Sequence, residues 1–137
     1  MRGILNTVIA ELSLKEHRRF SQTEIYYFER WWNLQNETVK EEVKRLVKNG
    51  QLEFINGGWA SSDEACPSYE ELIANIMAGH AFLLKNFGII PKHAWHLDAF
   101  GHSAATPELF ARMGFETITF ARMNDEERQH RINKKLL

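Results

Sequence analysis

The stretch HAWHLDAFGHS, residues 93–103, is the part of the sequence that decides the fold. It follows a long helical pattern and Pro91, runs through apolar residues to a single carboxylate, Asp98, and reaches a glycine three residues later. A break before a short apolar run and turn residues after it are typical of a strand that ends in a loop. Because side chains alternate along a strand, we expect His96 and Asp98 to point to the same face of the sheet.

Helical and extended patterns alternate on both sides of this stretch. Helices are expected over residues 3–12, 36–50, 68–88 and 106–114, and strands over residues 20–27, 51–56, 92–98 and 115–121. Ser68 with Glu71 three residues later predicts an N-terminal capping box, and Gly88 predicts a helix C-terminus. Residues 122–137 are helical by propensity, with little apolar surface before the two final leucines.

This alternation predicts an α/β fold with a parallel sheet and right-handed crossovers. In such sheets, sites form just beyond the carboxyl ends of the strands. Three parts of the chain take that position: residues 57–64, which contain Gly-Gly-Trp and Asp-Glu, residues 98–103, and Arg122. We therefore expect the functional chemistry at these three places.

Composition excludes several classes of protein. The chain has 137 residues, of which 44% are hydrophobic and 26% charged, as expected for a folded globular domain. Its 17 basic and 18 acidic residues give a net charge of -1, so the basic excess of a nucleic-acid-binding protein is missing. No apolar run approaches the length that crosses a membrane, and we find no signal peptide. The single cysteine does not identify the compartment.

The carboxylate at the end of the third strand has several chemical uses. Asp98 can bind a metal through oxygen, act as a nucleophile or base, cap the following helix, or accept hydrogen bonds from loop amides. His102 either orients Asp98 and its loop or satisfies a backbone carbonyl. His80, inside a helical apolar stripe, is interpreted as a packed residue rather than a ligand.

The first strand-end segment has a simpler interpretation. Trp59 beside two glycines fits either a platform for a sugar ring or a core wedge. Asp63 and Glu64 are interpreted as caps of the next helix. The pair Trp31 and Trp32 is expected to fill the core or a domain interface rather than to bind a ligand.

Four segments carry a resemblance to a known family. RFSQTEIYYFERWW (19–32), LVKNGQLEFINGGWASSDEA (46–65), HAWHLDAFGHS (93–103) and LFARMGFETITFAR (109–122) follow one another at a characteristic spacing. Over nearly its whole length the chain resembles the glycoside hydrolase family 38 α-mannosidases, most closely the lysosomal-type class II enzymes. The combination of GGW..DEA with WH.D.FGHS is highly specific.

The resemblance implies a retaining, zinc-dependent α-mannosidase that removes α-linked mannose from N-glycan-type oligosaccharides. It makes Asp98 both a zinc ligand and the catalytic nucleophile, and makes Phe100 and Arg122 substrate-binding residues. His102 is interpreted as a supporting residue beside them. Retaining chemistry also needs a second carboxyl group, the acid/base, about 5–5.5 Å from the nucleophile. The implied fold is a parallel-stranded (β/α) barrel-like catalytic domain, of which residues 1–137 form one part.

The sequence departs from the family pattern in places. Ala99 stands where the family has Pro, and residues 60–62 are Ala-Ser-Ser where it usually has Val-Met-Asn. Neither change removes a catalytic atom. The family's His-x-Asp zinc motif belongs upstream of the matched residues, and the acid/base Asp and the remaining zinc His belong downstream. We therefore expect a catalytic-domain fragment that is inactive alone.

Other interpretations remain open. The chain could be a non-catalytic truncated module, or a metal-dependent carbohydrate deacetylase on a related barrel with His96, Asp98 and His102 as its metal ligands. The resemblance favours a lysosomal or other secretory-pathway compartment for the parent protein, and the glycosylation sequon at residues 36–38 agrees with it. A cytosolic location fits the sequence as well.

Overall fold

The computed structural model describes residues 1–135, so the expectation about Leu136 and Leu137 lies outside the described residues. Within that range the chain forms a mixed α/β fold of six helices and four short strands. The helices are α1 (Arg2–Leu14), α2 (Ile25–Trp32), α3 (Glu37–Lys48), α4 (Tyr69–Phe87), α5 (Ala105–Arg112) and α6 (Asp125–Asn133). The strands are β1 (Phe20–Gln22), β2 (Leu52–Phe54), β3 (His93–His96) and β4 (Thr117–Phe120). None of the helices in residues 1–135 has the length and apolar character needed to cross a membrane.

The strands pair in parallel, as the alternation of elements predicts. β1 pairs with β2, and β3 pairs with β4, in two two-stranded sheets. Asn56 joins the two sheets: its N–H donates to the His93 carbonyl at 2.6 Å, and its Oδ1 accepts from the Trp95 N–H at 3.2 Å. The carboxyl end of β2 is therefore held beside β3.

The expectation of a strand over residues 20–27 is wrong beyond Gln22, because helix α2 begins at Ile25. The β-branched and aromatic residues there have high strand propensity, but they also repeat at helical spacing. Ile25, Phe28 and Trp32 are all buried on one face of α2. Burial of that aromatic stripe outweighs the local strand preference.

Two hydrophobic clusters form the core. The larger one centres on Phe28, which is fully buried, and includes Trp31 and Trp32, confirming their predicted place in the core. The smaller one gathers Leu72, Ile76, Ala94, Phe110 and Phe115 beneath β3 and β4. Helix α4 contributes to both clusters, since its Leu83 belongs to the larger one.

Helix α4 has the termini that the sequence predicts, and it packs closely on the strand ends. Ser68 and Glu71 form the capping box, and Gly88 is in the left-handed conformation with φ 70°. A Cβ at Gly79 would lie 1.9 Å from the Gly57 carbonyl oxygen, so the helix backbone lies directly against the chain leaving β2. This contact fixes the start of the segment that runs from residue 57 to residue 66.

Candidate functional site

A cavity of about 920 Å³ lies at the carboxyl ends of β3 and β4. Side chains from three separate segments line it, among them Glu64, His96, Phe100, His102 and Arg122. These are the three strand-end segments that the sequence analysis singled out. The structure therefore brings them together at one edge of the sheet.

Asp98 and Arg122 are paired because of strand register. His96 lies opposite Phe120 at the ends of β3 and β4, so the residues two positions further along each chain lie level with each other. Arg122 Nη2 donates to Asp98 Oδ1 at 2.5 Å, and Arg122 Nε donates to the same oxygen at 3.2 Å. The Asp98 side chain is 84% exposed, so the carboxylate faces solvent; its neighbours Phe100 and Arg122 line the cavity, whereas Asp98 does not.

Phe100 completes this side of the site. The guanidinium carbon of Arg122 lies 4.5 Å from the centre of the Phe100 ring, in a cation–π arrangement. The ring itself is 67% exposed, which is unusual for an aromatic side chain without a partner surface. A carboxylate, a guanidinium and an exposed ring thus lie together at the strand ends.

The loop that carries Phe100 is held by two neighbouring acidic residues. Asp63 Oδ1 accepts the Phe100 N–H at 3.1 Å, and Glu64 Oε2 accepts the Ser103 N–H. The expectation that Asp63 and Glu64 cap the next helix is wrong, since Ser68 caps α4. Asp63 and Glu64 instead join residues 99–103 to the segment that follows β2.

Glu64 also lies in a cluster with His96 and His102, whose possible ligand atoms are all within 4.8 Å of one another. His96 Nδ1 lies 3.7 Å from Glu64 Oε1, and these side chains are 5% and 9% exposed. His96 Nε2 is 2.7 Å from the Ser62 carbonyl oxygen. The His102 ring packs beside His96, with 5.3 Å between ring centres. This cluster is a grouping that could hold a metal ion.

The ligand set expected for a deacetylase is therefore not the one that the structure assembles. Among residues 1–135, Glu64 and not Asp98 completes the cluster with His96 and His102. The expectation that His96 and Asp98 share a face is wrong because strand pairing ends at His96 and the chain bends at residues 97–98. His96 is consequently buried while Asp98 is exposed.

Two other candidate residues belong to the packing of the domain. Trp59 packs against the larger core cluster and lies edge-on to Tyr26, so the core interpretation holds for it. His80 Nε2 is 2.9 Å from the Asn56 carbonyl oxygen, and burial lowers the pKa of its imidazole. Both residues support the strand ends rather than line the cavity.

A parallel α/β unit with this cluster at its strand ends has the site placement of enzymes built on parallel sheets. Comparison with known proteins identifies the family. The family described as "Glycosyl hydrolases family 38 N-terminal domain" matches the chain over residues 1–137. The chain belongs to this family.

Curated relatives agree with the assignment. The chain is 43% identical over 131 residues to a lysosomal α-mannosidase of Dictyostelium discoideum, covering 96% of the chain and 13% of that protein. It is 42% identical over 138 aligned residues to an α-mannosidase of Arabidopsis thaliana, covering 100% of the chain and 14% of that protein. The α-mannosidase of Canavalia ensiformis is 40% identical over 136 residues, covering 98% of the chain and 14% of that protein. The chain therefore spans about one seventh of the length of these relatives.

Solved structures show the same fold. An α-mannosidase from Enterococcus faecalis superposes with a TM-score of 0.72 at 21% identity, covering 88% of this chain and 14% of the other. A 4-α-glucanotransferase from Thermococcus litoralis superposes with a TM-score of 0.63 at 17% identity, covering 88% of this chain and 20% of the other. At these identities the comparison concerns the fold alone.

Proposed function

We propose that this chain supplies part of the active site of an α-mannosidase, a retaining glycoside hydrolase that acts on α-linked mannose of N-glycan-type oligosaccharides. The observation that carries the proposal is the exposed Asp98 carboxylate, held by Arg122, which lines the cavity together with the exposed Phe100 ring. Relatives about 40% identical over nearly the whole chain bear the name α-mannosidase.

Asp98 is the proposed nucleophile. Both hydrogen bonds that residues 1–135 make to its carboxylate fall on Oδ1, so the side chain is oriented while Oδ2 stays available. In the retaining reaction a carboxylate oxygen bonds to the anomeric carbon as the glycosidic bond to the leaving oxygen breaks. A second carboxylic acid donates a proton to that oxygen, and the resemblance places this acid outside the 137 residues.

Asp98 is also the residue of this chain that would hold zinc. Its exposed carboxylate, with one oxygen not engaged by Arg122, suits a metal ligand. When bound, zinc would hold sugar hydroxyls and favour the distorted ring of the transition state. One carboxylate does not bind zinc tightly, so the remaining ligands must come from elsewhere in the enzyme.

Phe100 and Arg122 are proposed to bind the substrate. The exposed Phe100 ring offers an apolar surface to a sugar ring, while Arg122 keeps that ring and the nucleophile in fixed relation. His102 supports this arrangement through its ring, which packs against His96 and Phe120.

The four strands are proposed to be part of a larger parallel, barrel-like sheet. Within residues 1–135, β1 and β4 each pair with one strand only, so each has a free edge. Free edges of this kind are normally covered by further strands or helices. Residues 1–137 would then form one partial α/β domain of the catalytic unit.

The parent protein is proposed to be glycosylated in the secretory pathway. Asn36 is exposed at the start of α3, where its Oδ1 accepts the Val39 N–H at 3.0 Å. That bond leaves Nδ2 free for a glycan. Treatment of the protein, isolated from its own cells, with an N-glycosidase should shift the mass of the peptide that contains Asn36. An unmodified peptide would favour the cytosolic alternative.

The catalytic proposal is tested with the enzyme that contains this chain. Asp98→Asn should lower kcat for an aryl α-mannoside by about a thousandfold or more. A slowly reacting fluorinated mannosyl fluoride should leave a mannosyl adduct on Asp98 in mass spectrometry. Asp125→Asn, at an exposed position of α6, should retain full activity. An adduct on another residue would refute the assignment. The isolated 137-residue chain with added zinc should show no turnover.

A further inference from the structure

Two buried polar atoms face each other without a hydrogen bond. Glu64 Oε1 and His96 Nδ1 are buried and have no partner among residues 1–135. Unpaired polar atoms in the interior are costly, and most buried polar groups are therefore satisfied. This pair lies in the wall of the cavity, 3.7 Å apart. A bound group that contacts both Glu64 Oε1 and His96 Nδ1 would satisfy the two atoms.

The tautomer of His96 defines what that partner must be. His96 Nε2 contacts the Ser62 carbonyl oxygen at 2.7 Å, and a carbonyl only accepts, so Nε2 carries the hydrogen. In the neutral ring, Nδ1 then presents a lone pair to the Glu64 carboxylate. The His96 nitrogen and the Glu64 oxygen are then two buried acceptors that face each other. A cation bound between them would satisfy both.

The spacing favours a metal ion over a proton. A charge-assisted hydrogen bond would bring nitrogen and oxygen to about 2.7–2.9 Å, well below the observed 3.7 Å. A tetrahedral ion with bonds of about 2.1 Å holds its ligand atoms about 3.4 Å apart. His102 offers a third donor, and all three ligand atoms lie within 4.8 Å of one another.

Hydrogen bonds to neighbouring backbone groups already orient both side chains. The Ser62 carbonyl fixes the His96 ring, and the Ser103 N–H binds the second oxygen of Glu64. Histidine ligands of metals are commonly held through their other ring nitrogen in this way. Two imidazoles and one carboxylate suit zinc and neighbouring divalent transition metals rather than calcium or magnesium.

We infer that Glu64, His96 and His102 bind a divalent transition-metal ion, at a site that does not use Asp98. The ion joins the segment after β2, the end of β3 and the loop of residues 99–103, and leaves one coordination position toward the cavity. It stabilises the loop that carries Phe100.

The test is metal binding by the full 137-residue chain after chelator treatment. Cobalt(II), used as a probe, should develop the intense visible absorption of a tetrahedral nitrogen–oxygen site, and zinc should displace it. His102→Gln is the main variant, because His102 is exposed and its replacement leaves the core intact. Loss of a residue that only supports a ligand costs about 10- to 100-fold in metal affinity, so loss of the ligand His102 should raise the Kd for zinc by more than about 100-fold. Glu64→Gln, which keeps an oxygen for the Ser103 N–H, should do the same.

Two controls locate the site. Asp98→Asn and His93→Gln should leave the Kd unchanged, the latter because His93 is an exposed histidine bonded to Thr117. Loss of binding in Asp98→Asn with full binding in His102→Gln would overturn the inference, since the ion would then sit at Asp98. So would absence of the cobalt absorption together with a nitrogen NMR spectrum in which both His96 nitrogens carry hydrogen. The activity of Asp98→Asn in the enzyme tests the mannosidase proposal separately.

Discussion

Asp98 and Arg122 each lie two residues beyond the end of one of two paired parallel strands, and Arg122 Nη2 approaches Asp98 Oδ1 at 2.5 Å. Both groups are largely exposed, at 84% for Asp98 and 50% for Arg122. Exposed ion pairs contribute little to stability, typically about 0–1 kcal/mol. The pair therefore serves to orient the carboxylate rather than to hold the fold.

Replacement of Arg122 should reveal that role. Arg122→Gln removes both hydrogen bonds to Asp98 and the contact with Phe100, so kcat of the enzyme should fall about 10- to 100-fold, as expected when a reacting group is misplaced. Arg122→Lys should recover little activity, because an ammonium cannot place two donors on one carboxylate in the same geometry. Steady-state kinetics of both variants measure kcat, and thermal unfolding measures their melting temperatures.

A matched control exists on helix α6. Arg128→Gln breaks another exposed pair, with Asp125, and should change neither kcat nor the melting temperature measurably. If Arg122→Gln lowers the melting temperature strongly while kcat per folded molecule is unchanged, the pair is structural and the orienting role is wrong.

Asp63 should control the mobility of the loop after Asp98. Asp63 Oδ1 accepts the N–H groups of Phe100 and Ala65. Asp63→Ala removes this acceptor and should cost about 0.5–1.5 kcal/mol per hydrogen bond. Amide hydrogen exchange in residues 99–103 should become faster. Asp63→Asn retains an oxygen at the same place and should exchange nearly like the parent chain; faster exchange in both variants alike would contradict the assignment.

The meeting of Asp98 and Arg122 could be predicted from sequence because parallel pairing obeys a simple rule. Strand ends of a parallel sheet lie at one edge, and both residues lie two positions past the end of a strand. The boundaries of α4 could be predicted for a similar reason, since Ser68, Glu71 and Gly88 act within a few residues of themselves. Interactions between residues close in sequence, together with the direction of the strands, are sufficient to predict these features.

Helix α2 and the cluster around Glu64 depend on contacts between distant segments. In α2 the strand-forming residues become helical because Phe28 and Trp32 pack into a core built by other elements, and Trp31 donates to Asn6 Oδ1 on α1 at 2.7 Å. Glu64 contacts His96 because the irregular segment after β2 passes close to the carboxyl end of β3. No periodic pattern in the sequence predicts this contact; the Asp-Glu pair after Gly-Gly-Trp is its only signal.

Gly79 should be intolerant of any side chain. A Cβ there would lie 1.9 Å from the Gly57 carbonyl oxygen, and both partners are backbone that cannot rotate away. Gly79→Ala should destabilise the fold by about 3 kcal/mol or more, beyond the usual cost of overpacking. Gly3→Ala in helix α1 is the control, since nothing lies within 4 Å of the added Cβ and alanine favours the helix. Equal urea midpoints for the two variants would show that α4 does not press on the chain leaving β2.

His80 should make the fold sensitive to mild acid. Burial lowers the pKa of its imidazole below the usual value of 6.5, so between these two pKa values the unfolded chain binds more protons than the folded chain. The contribution of His80 is therefore complete above about pH 6.5 and is lost as the pH falls below it, with a slope of at most about 1.4 kcal/mol per pH unit. Urea unfolding at several pH values between 5 and 7.5 measures it. His80→Gln keeps a donor for the Asn56 carbonyl and does not titrate, so its stability should fall less steeply toward low pH; identical slopes for both proteins would exclude His80 as the source.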